Sequence, residues 1–338
     1  MVTLTRPLRS PEADQMRWFR VAGPSTAAAA RSATATMAHR LGFSAERSDE
    51  TVLAVSEAAS NLDKHARDGS LLVQACFDGD VAGIELVTID AGPGVADIKA
   101  AVRDGHSTAG TLGVGLGAIR RIADFAALFS MLGHGTALVA RFWPQPRTPE
   151  VKSAGLIRPI SGETECGDAF AVLFAGEVAT GVLCDGLGHG PLAAKAARQA
   201  LAAVLDSPVG DPAALLRRAH ERMASTRGGA VAIVQTDGQV VRFAGLGNVA
   251  GWILSGDTRS GLTSVPGIAG HQARSIRQFE YPLPPGAAIV LHSDGLSSRW
   301  DVRHLPGLAA CDPLVIAASL LAEAGAHRDD AGILVLKS

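Results

Sequence analysis

The sequence predicts an α+β protein of two domains, and three observations carry that expectation. The chain has 338 residues, more than one ordinary hydrophobic core organises. A composition break, PQPRTPEVKS at 144–153, holds three prolines among polar residues and blocks both helix and central strand. Strand-like and helical runs are interleaved in both halves. In the second half, strand runs separated by helix pairs point to a two-sheet sandwich with helices outside. The expected domains are therefore 1–143 and 154–338, joined by a linker at 144–153.

The elements follow in order. MRWFRV (16–21) reads as a strand, and an Ala-rich helix near 25–42 closes at Gly42. A second helix near 46–66 packs Val52, Val55 and Ala59 on one face. Strands near 70–77 and 83–90 (GIELVTID) precede a Gly-rich loop, a helix near 113–124 and paired strands around 126–142. After the linker come AFAVLFA and ATGVLCD as strands, then helices near 191–205 and 211–225. AVAIVQT, VVRFAGLG, VAGWILS and AAIVLHSD are further strands. A helix near 312–324 and the strand AGILVLK complete the chain.

Composition excludes several classes of function. Lys and Arg number 31 against 33 Asp and Glu, with no basic half, so nucleic acid is not an expected partner. Cys76, Cys166, Cys184 and Cys311 are scattered without a CxxC pair, and read as small buried hydrophobes in a reducing compartment. The apolar run LVIAASLLA is too short to span a bilayer, and no secretory apolar core forms near residue 6. A cytoplasmic protein without membrane contact is expected, with a homodimer left open.

The first constellation lies in SEAASNLDKHA (56–66). At about 100° per residue, Glu57, Asn61 and Lys64 fall within roughly 60° of one another, with His65 a little further round. Taken alone, that is an ordinary solvated helix face. Downstream, however, Asp90 ends a strand and is followed by Gly92 and Gly94, so a carboxylate beside open backbone is available to an adenine amino group. Gly113, Gly115 and Gly117 then lead into an amphipathic helix, whose first amides suit phosphate oxygens. GHGT (133–136) adds Thr136. No GKS or GKT follows, which excludes a Walker A loop.

In this order the motifs resemble the GHKL (Bergerat-type) ATPase family, specifically the RsbT branch of anti-sigma-factor serine kinases. The resemblance rests on the helix motif, DAGPG, GVGLG and GHGT, and on the stretch 96–122. It implies an α/β sandwich binding ATP with Mg²⁺, in which Asn61 holds the ion, Glu57 is the catalytic base and Lys64 contacts phosphate. His65, Asp90, Gly92, Gly94, Gly113, Gly115, Gly117 and Thr136 are the implied nucleotide-binding positions.

The second constellation is a set of acidic strand ends: GDAF (167–170), CDGLGHG (184–190), HSDGL (292–296) and HRDDAG (327–332). One Asp-Gly pair is commonly a hairpin turn, and Asp237 in TDGQ reads as that. Four acidic loops at the ends of apolar strands instead suit hard divalent ions, which take oxygen ligands and clamp phosphate for in-line attack. They resemble the metal-dependent PPM protein phosphatases, in the SpoIIE and RsbX branch, which implies an αββα sandwich binding Mg²⁺ or Mn²⁺. Asp168, Asp185, the Gly186 carbonyl, Asp294 and Asp329 are the implied metal ligands, with Asp185 central to catalysis. Gly332 stands where this branch usually has threonine, His189 is available to orient a water, and GNVAG (247–251) also fits.

Together the resemblances imply a partner-switching regulator in bacterial stress or sigma-factor control. Its kinase and phosphatase would act on Ser or Thr of a STAS-domain antagonist. Two other readings stay open, a phosphatase with a non-catalytic nucleotide domain and a non-enzymatic anti-sigma-like binding module.

Overall fold

The computed structural model describes residues 7–98, 115–325 and 328–337. The chain divides into two compact units, one of Pro11–Glu150 and one of Val151–Ser338 joined by the stretch that ends at Ser10. The expected first domain began at residue 1. The difference arises because β1 (Leu8–Arg9) adds to a strand of the later unit, placing Leu8 opposite Val172 and Arg9 opposite Ala171. Two residues have too little pattern to declare such a pairing.

In the Pro11–Glu150 unit, the elements are β2 (Met16–Arg20), α1 (Pro24–Arg40), α2 (Ala45–His65), β3 (Ser70–Asp78), β4 (Val81–Asp90), α3 (Gly115–Ile122), β5 (Phe125–Met131) and β6 (Gly135–Phe142). The strands form an antiparallel sheet in the order β2-β3-β4-β6-β5. Their period of two sends Leu71, Val73, Ala75, Ile84, Leu86, Leu138 and Ala140 to one face, where the helices cover them. Helix α2 buries Thr51, Ala54, Val55, Ala58, Ala59 and Leu62. Val52, expected on that stripe, is only half-buried because the true apolar arc is centred on Ala54, Val55 and Ala58.

Ser44 caps α2 by accepting the Arg47 amide at 3.1 Å. The Arg47 side chain fixes the helix start to its surroundings. It donates to the Ile122 carbonyl at 2.8 Å, to the Trp143 carbonyl at 3.1 Å and to Asp124 at 2.8 Å. The end of α3 is thereby anchored to the start of α2. Residues 144–152 carry no helix or strand. Within this stretch, Arg147 pairs with Asp78 at 2.7 Å.

The other unit is a sandwich of two sheets. Its elements begin with β7 (Ser153–Arg158), β8 (Asp168–Ala175), β9 (Val178–Gly186), α4 (Pro191–Leu205) and α5 (Pro212–Arg222). Next come β10 (Gly229–Thr236), β11 (Val240–Leu246), β12 (Ala250–Ser255), β13 (Thr258–Leu262), β14 (Ser264–Val265), β15 (Gly267–Ile268) and β16 (Gln272–Ala273). Last are β17 (Phe279–Pro282), β18 (Ala288–His292), α6 (Pro313–Ala324) and β19 (Ala331–Lys337). Among the described residues one sheet runs β1-β8-β9-β10-β11-β14, with β17 also on β11, and the other runs β13-β12-β18-β19-β7.

Helices α4 and α5 bury Ala196, Ala197, Ala200, Leu215 and Leu216 against Ala169, Ala171, Val182, Val231 and Ile233 of the first sheet. Helix α6 packs on β7 and β19 of the second sheet. The alternate residues of β8 point between the sheets, and Gly155 on β7 makes room there. A Cβ on Gly155 would lie 2.7 Å from the Phe170 ring. Strand β7 was not legible in the sequence, since it starts in the polar tail of the proline-rich stretch. The fold is thus α+β throughout, with an αββα second unit. No helix among the described residues is long and apolar enough to cross a membrane.

Candidate functional site

In the first unit, α2 sets Glu57 and Asn61 half-buried and leaves Lys64 and His65 exposed at its last turn. The Asn61 side-chain nitrogen is buried without a hydrogen-bond partner. Gly115, the first residue of α3, lies against it: a Cβ there would come within 2.9 Å of Asn61 Oδ1 and 3.0 Å of Nδ2. The absence of a side chain at 115 is therefore what lets a helix N-terminus meet Asn61. Gly117 is buried in α3. Gly113 lies outside the described residues.

The end of β4 forms a second wall. Asp90 Oδ1 accepts the Gly92 amide at 2.7 Å, and burial raises its carboxyl while the amides of Gly92 and Thr136 oppose that shift. Gly92 also abuts the His65 carbonyl, 3.1 Å from where a Cβ would sit, so the C-terminus of α2 and this turn are neighbours. Gly94 has φ +75 and rests on the Met131 carbonyl, a place only glycine occupies without strain. Thr136 faces Asp90 across β4 and β6. A residue the sequence reading missed, Ser130, holds this corner by contacting Thr136 Oγ1 and accepting the Val95 amide, both at 2.8 Å.

In the second unit, β8 and β9 place Asp168 directly opposite Asp185. Asp168 is buried and its Oδ1 has no hydrogen-bond partner, while Asp185 is half-buried. Burial, first, and the charge of Asp185, second, push the Asp168 carboxyl well above the usual range. Asp185 is pushed up to about 7, by burial and then by the charges of Asp294 and Asp329. Like charges forced together in a poorly solvated place favour a bound proton or a cation. An orphaned carboxylate oxygen beside a second carboxylate fits a hard divalent ion. As they stand, no three His, Cys, Asp or Glu side chains among the described residues form a ready-made metal cluster.

The remaining acidic positions are exposed at neighbouring strand ends. Asp294 Oδ2 accepts from Asn248 at 2.9 Å, and Asp329 Oδ1 accepts the Asp330 amide at 2.9 Å, leaving each a second oxygen. Gly186 packs its backbone on the Ala193 carbonyl in the first turn of α4, and its amide donates to the Gly167 carbonyl at 3.1 Å. His189 is tied to Glu163 at 3.0 Å. Asp237 accepts the amides of Gln239 and Val240, a turn residue as its local sequence suggested.

Three supporting residues escaped the sequence reading. Asp330 is buried and accepts the amides of Ile160 at 2.7 Å and Gly167 at 2.8 Å, clamping the loop before Asp168. Ser293 donates to Asp168 Oδ2 at 2.6 Å and accepts the Gly332 amide at 2.9 Å. Asn248 orients Asp294. Their only signal was adjacency, Ser293 beside Asp294 and Asp330 beside Asp329, with Asn248 inside GNVAG.

Comparison with known proteins agrees with this division. Residues 21–142 match the family model described as a histidine kinase-like ATPase domain, and residues 177–337 match the model of stage II sporulation protein E (SpoIIE). The chain is 35% identical over 115 residues to the serine/threonine-protein kinase RsbT of Bacillus subtilis (strain 168), covering 34% of this chain and 86% of that protein. Among solved structures, RsbX in complex with magnesium is 20% identical, with TM-score 0.49, covering 55% of this chain and 94% of that one. The Mycobacterium tuberculosis serine/threonine phosphatase PstP is 16% identical, with TM-score 0.40, covering 55% and 97%. The class is thus a chain with a histidine kinase-like ATPase domain followed by a SpoIIE domain. Through its first unit the chain belongs to the RsbT family of serine/threonine-protein kinases.

Proposed function

We propose that this chain is a bifunctional partner-switching regulator. Its first unit transfers the γ-phosphoryl group of ATP to Ser or Thr of a STAS-domain antagonist, and its second unit removes it. The observation that carries the proposal is the union, in one chain, of an RsbT-family segment with a SpoIIE segment whose sheet end opposes Asp168 and Asp185.

In the kinase, Asn61 would hold Mg²⁺, and Asp90 with Gly92 and Gly94 would receive the adenine. Lys64 approaches phosphate, and Glu57 takes the proton of the attacking hydroxyl. Phosphoryl transfer asks little more of a protein than this positioning and charge. In the phosphatase, Asp168, Asp185, the Gly186 carbonyl, Asp294 and Asp329 hold Mg²⁺ or Mn²⁺. When bound, the ions neutralise phosphate charge during in-line attack. Asp330 and Ser293 keep Asp168 in place, and Asn248 keeps Asp294 in place.

The test is incubation of the full chain with a STAS-domain protein and Mg-ATP, followed by Mn²⁺, with phosphate read by mass. One phosphate should appear and then be lost, and Asp185→Asn should leave it in place. If no candidate STAS-domain protein gains phosphate even with Asp185→Asn, the first unit is a nucleotide-binding regulator of the phosphatase instead.

A further inference from the structure

The acidic end of the β8–β9 pair is a poor place for a phosphate dianion unless cations offset it, and one cation of this chain is placed to do so. Strand β10 pairs with β9 so that Ala230 faces Asp185 and Gly229 faces Gly186. The ladder continues past both strands, the Leu187 amide donating to the Gly228 carbonyl at 2.9 Å. The residue before Gly228 is Arg227, so the register delivers Arg227 to the same sheet end as Asp185. Its guanidinium Nη1 would lie 3.1 Å from a Cβ on Gly188, three residues beyond Asp185. Gly188 has φ +87 and no side chain, which leaves the guanidinium resting directly over the loop backbone.

The backbone that carries Arg227 is held on both sides. Thr226 Oγ1 donates to the Met223 carbonyl at 2.7 Å and accepts the Gly228 amide at 3.0 Å. The Thr226 carbonyl accepts from His271 Nε2 at 3.1 Å. Gly228, at φ +75, is pressed against the Ala269 carbonyl and the His271 ring, where a side chain has no room. The side chain itself is exposed and has no ion pair or hydrogen bond among the described residues. Three other arginines of this unit are engaged: Arg198 with Glu165 at 3.0 Å, Arg222 with Asp206 at 2.7 Å, and Arg259 between the rings of Trp252 and Trp300. A free guanidinium on a turn whose backbone is already ordered, beside the acidic sheet end, suits a bidentate grip on phosphate oxygens.

We propose that Arg227 binds the phosphate group of the phosphoserine or phosphothreonine substrate, an inference that rests on the phosphatase reading of this unit. The experiment uses the full chain with Mn²⁺ and a phosphoserine peptide, comparing wild type with Arg227→Ala and Arg227→Lys. Losing a charge-assisted contact predicts a KM raised about ten- to a hundredfold for Arg227→Ala, with inhibition by inorganic phosphate weakened by a similar factor. Arg227→Lys should recover part of both. Calorimetric Mn²⁺ affinity and thermal unfolding should match wild type, which separates substrate binding from support of the metal site. Unchanged KM and phosphate inhibition in Arg227→Ala would overturn the inference while the phosphatase reading stood, as would a loss explained by weaker Mn²⁺ binding. A wild type that leaves the phosphopeptide intact would overturn the phosphatase reading and this inference with it.

Discussion

Replacing Ser293 with alanine removes one oxygen from a buried relay. In the native protein the Gly332 amide donates to Ser293 Oγ, and the Ser293 hydroxyl donates to Asp168 Oδ2 at 2.6 Å. Ser293 is 1% exposed and Asp168 2%, so water does not replace the lost group without rearrangement. The variant leaves a carboxylate oxygen and an amide unmatched at once. A hydrogen bond to a charged group contributes about 1.5–3 kcal/mol. Here that contribution belongs to the ionised form of Asp168, because the Ser293 contact opposes the upward push of burial and of Asp185. Without it the carboxyl holds its proton more tightly, and a metal ion must displace that proton. Mn²⁺ affinity should therefore fall about ten- to a hundredfold, as for supporting residues of metal sites in general. Isothermal calorimetry of the full chain reads this directly. Thermal unfolding adds a second check, since Ser293→Ala should lose more stability with saturating Mn²⁺ than with chelator, where Asp168 takes up a proton. Equal Mn²⁺ affinity in variant and wild type would show that Asp168 either lies outside the metal site or is held by something other than Ser293.

Three further outcomes follow from the same geometry. Gly332→Thr should weaken Mn²⁺ binding, because a Cβ at 332 would sit 3.0 Å from both Cβ and Oδ2 of Asp168; tighter binding in calorimetry would mean the pocket accepts the threonine usual in this branch. Asn61→Ala should markedly reduce Mg-ATP affinity by calorimetry, and wild-type binding would remove Asn61 from the nucleotide site. For pH, Asp168 and Asp185 are raised in the folded protein, so their favourable contribution is present below the unfolded carboxyl value and is lost as pH rises through about 7 for Asp185. The melting temperature of the metal-free chain should accordingly fall between about pH 4 and about pH 7, and Mn²⁺ should restore it in the upper part of that window. A profile that is flat, or that rises with pH, would remove these two carboxyls as the source.

Local sequence pattern carried most of the fold. The stretches read as helices near 191–205 and 312–324 form α4 (Pro191–Leu205) and α6 (Pro313–Ala324), and AGILVLK is β19, because the length of an apolar run and the residues that bound it are properties of contiguous sequence. Gly42 and the Asp237 turn were legible for a similar reason: backbone conformation there depends on the residue and its immediate neighbours. The short strands β1 and β7 were not, since each exists only through the partner strand that it pairs with.

For the candidate sites, the sequence by itself determined which residue types stand on the last turns of α2, at the start of α3 and at strand ends: Asn61, Gly115, and the acidic loops at Asp168, Asp185, Asp294 and Asp329. Only the tertiary structure decided which of these groups meet and what holds them. It buried Asp168 opposite Asp185, turned Asp330 inward to clamp a loop, and brought Ser293 to Asp168 from 125 residues away. It also seated Arg227 over Gly188 through the β9–β10 register. Those assignments depend on strand order and register between distant segments, and neither is encoded in any window short enough to show a period.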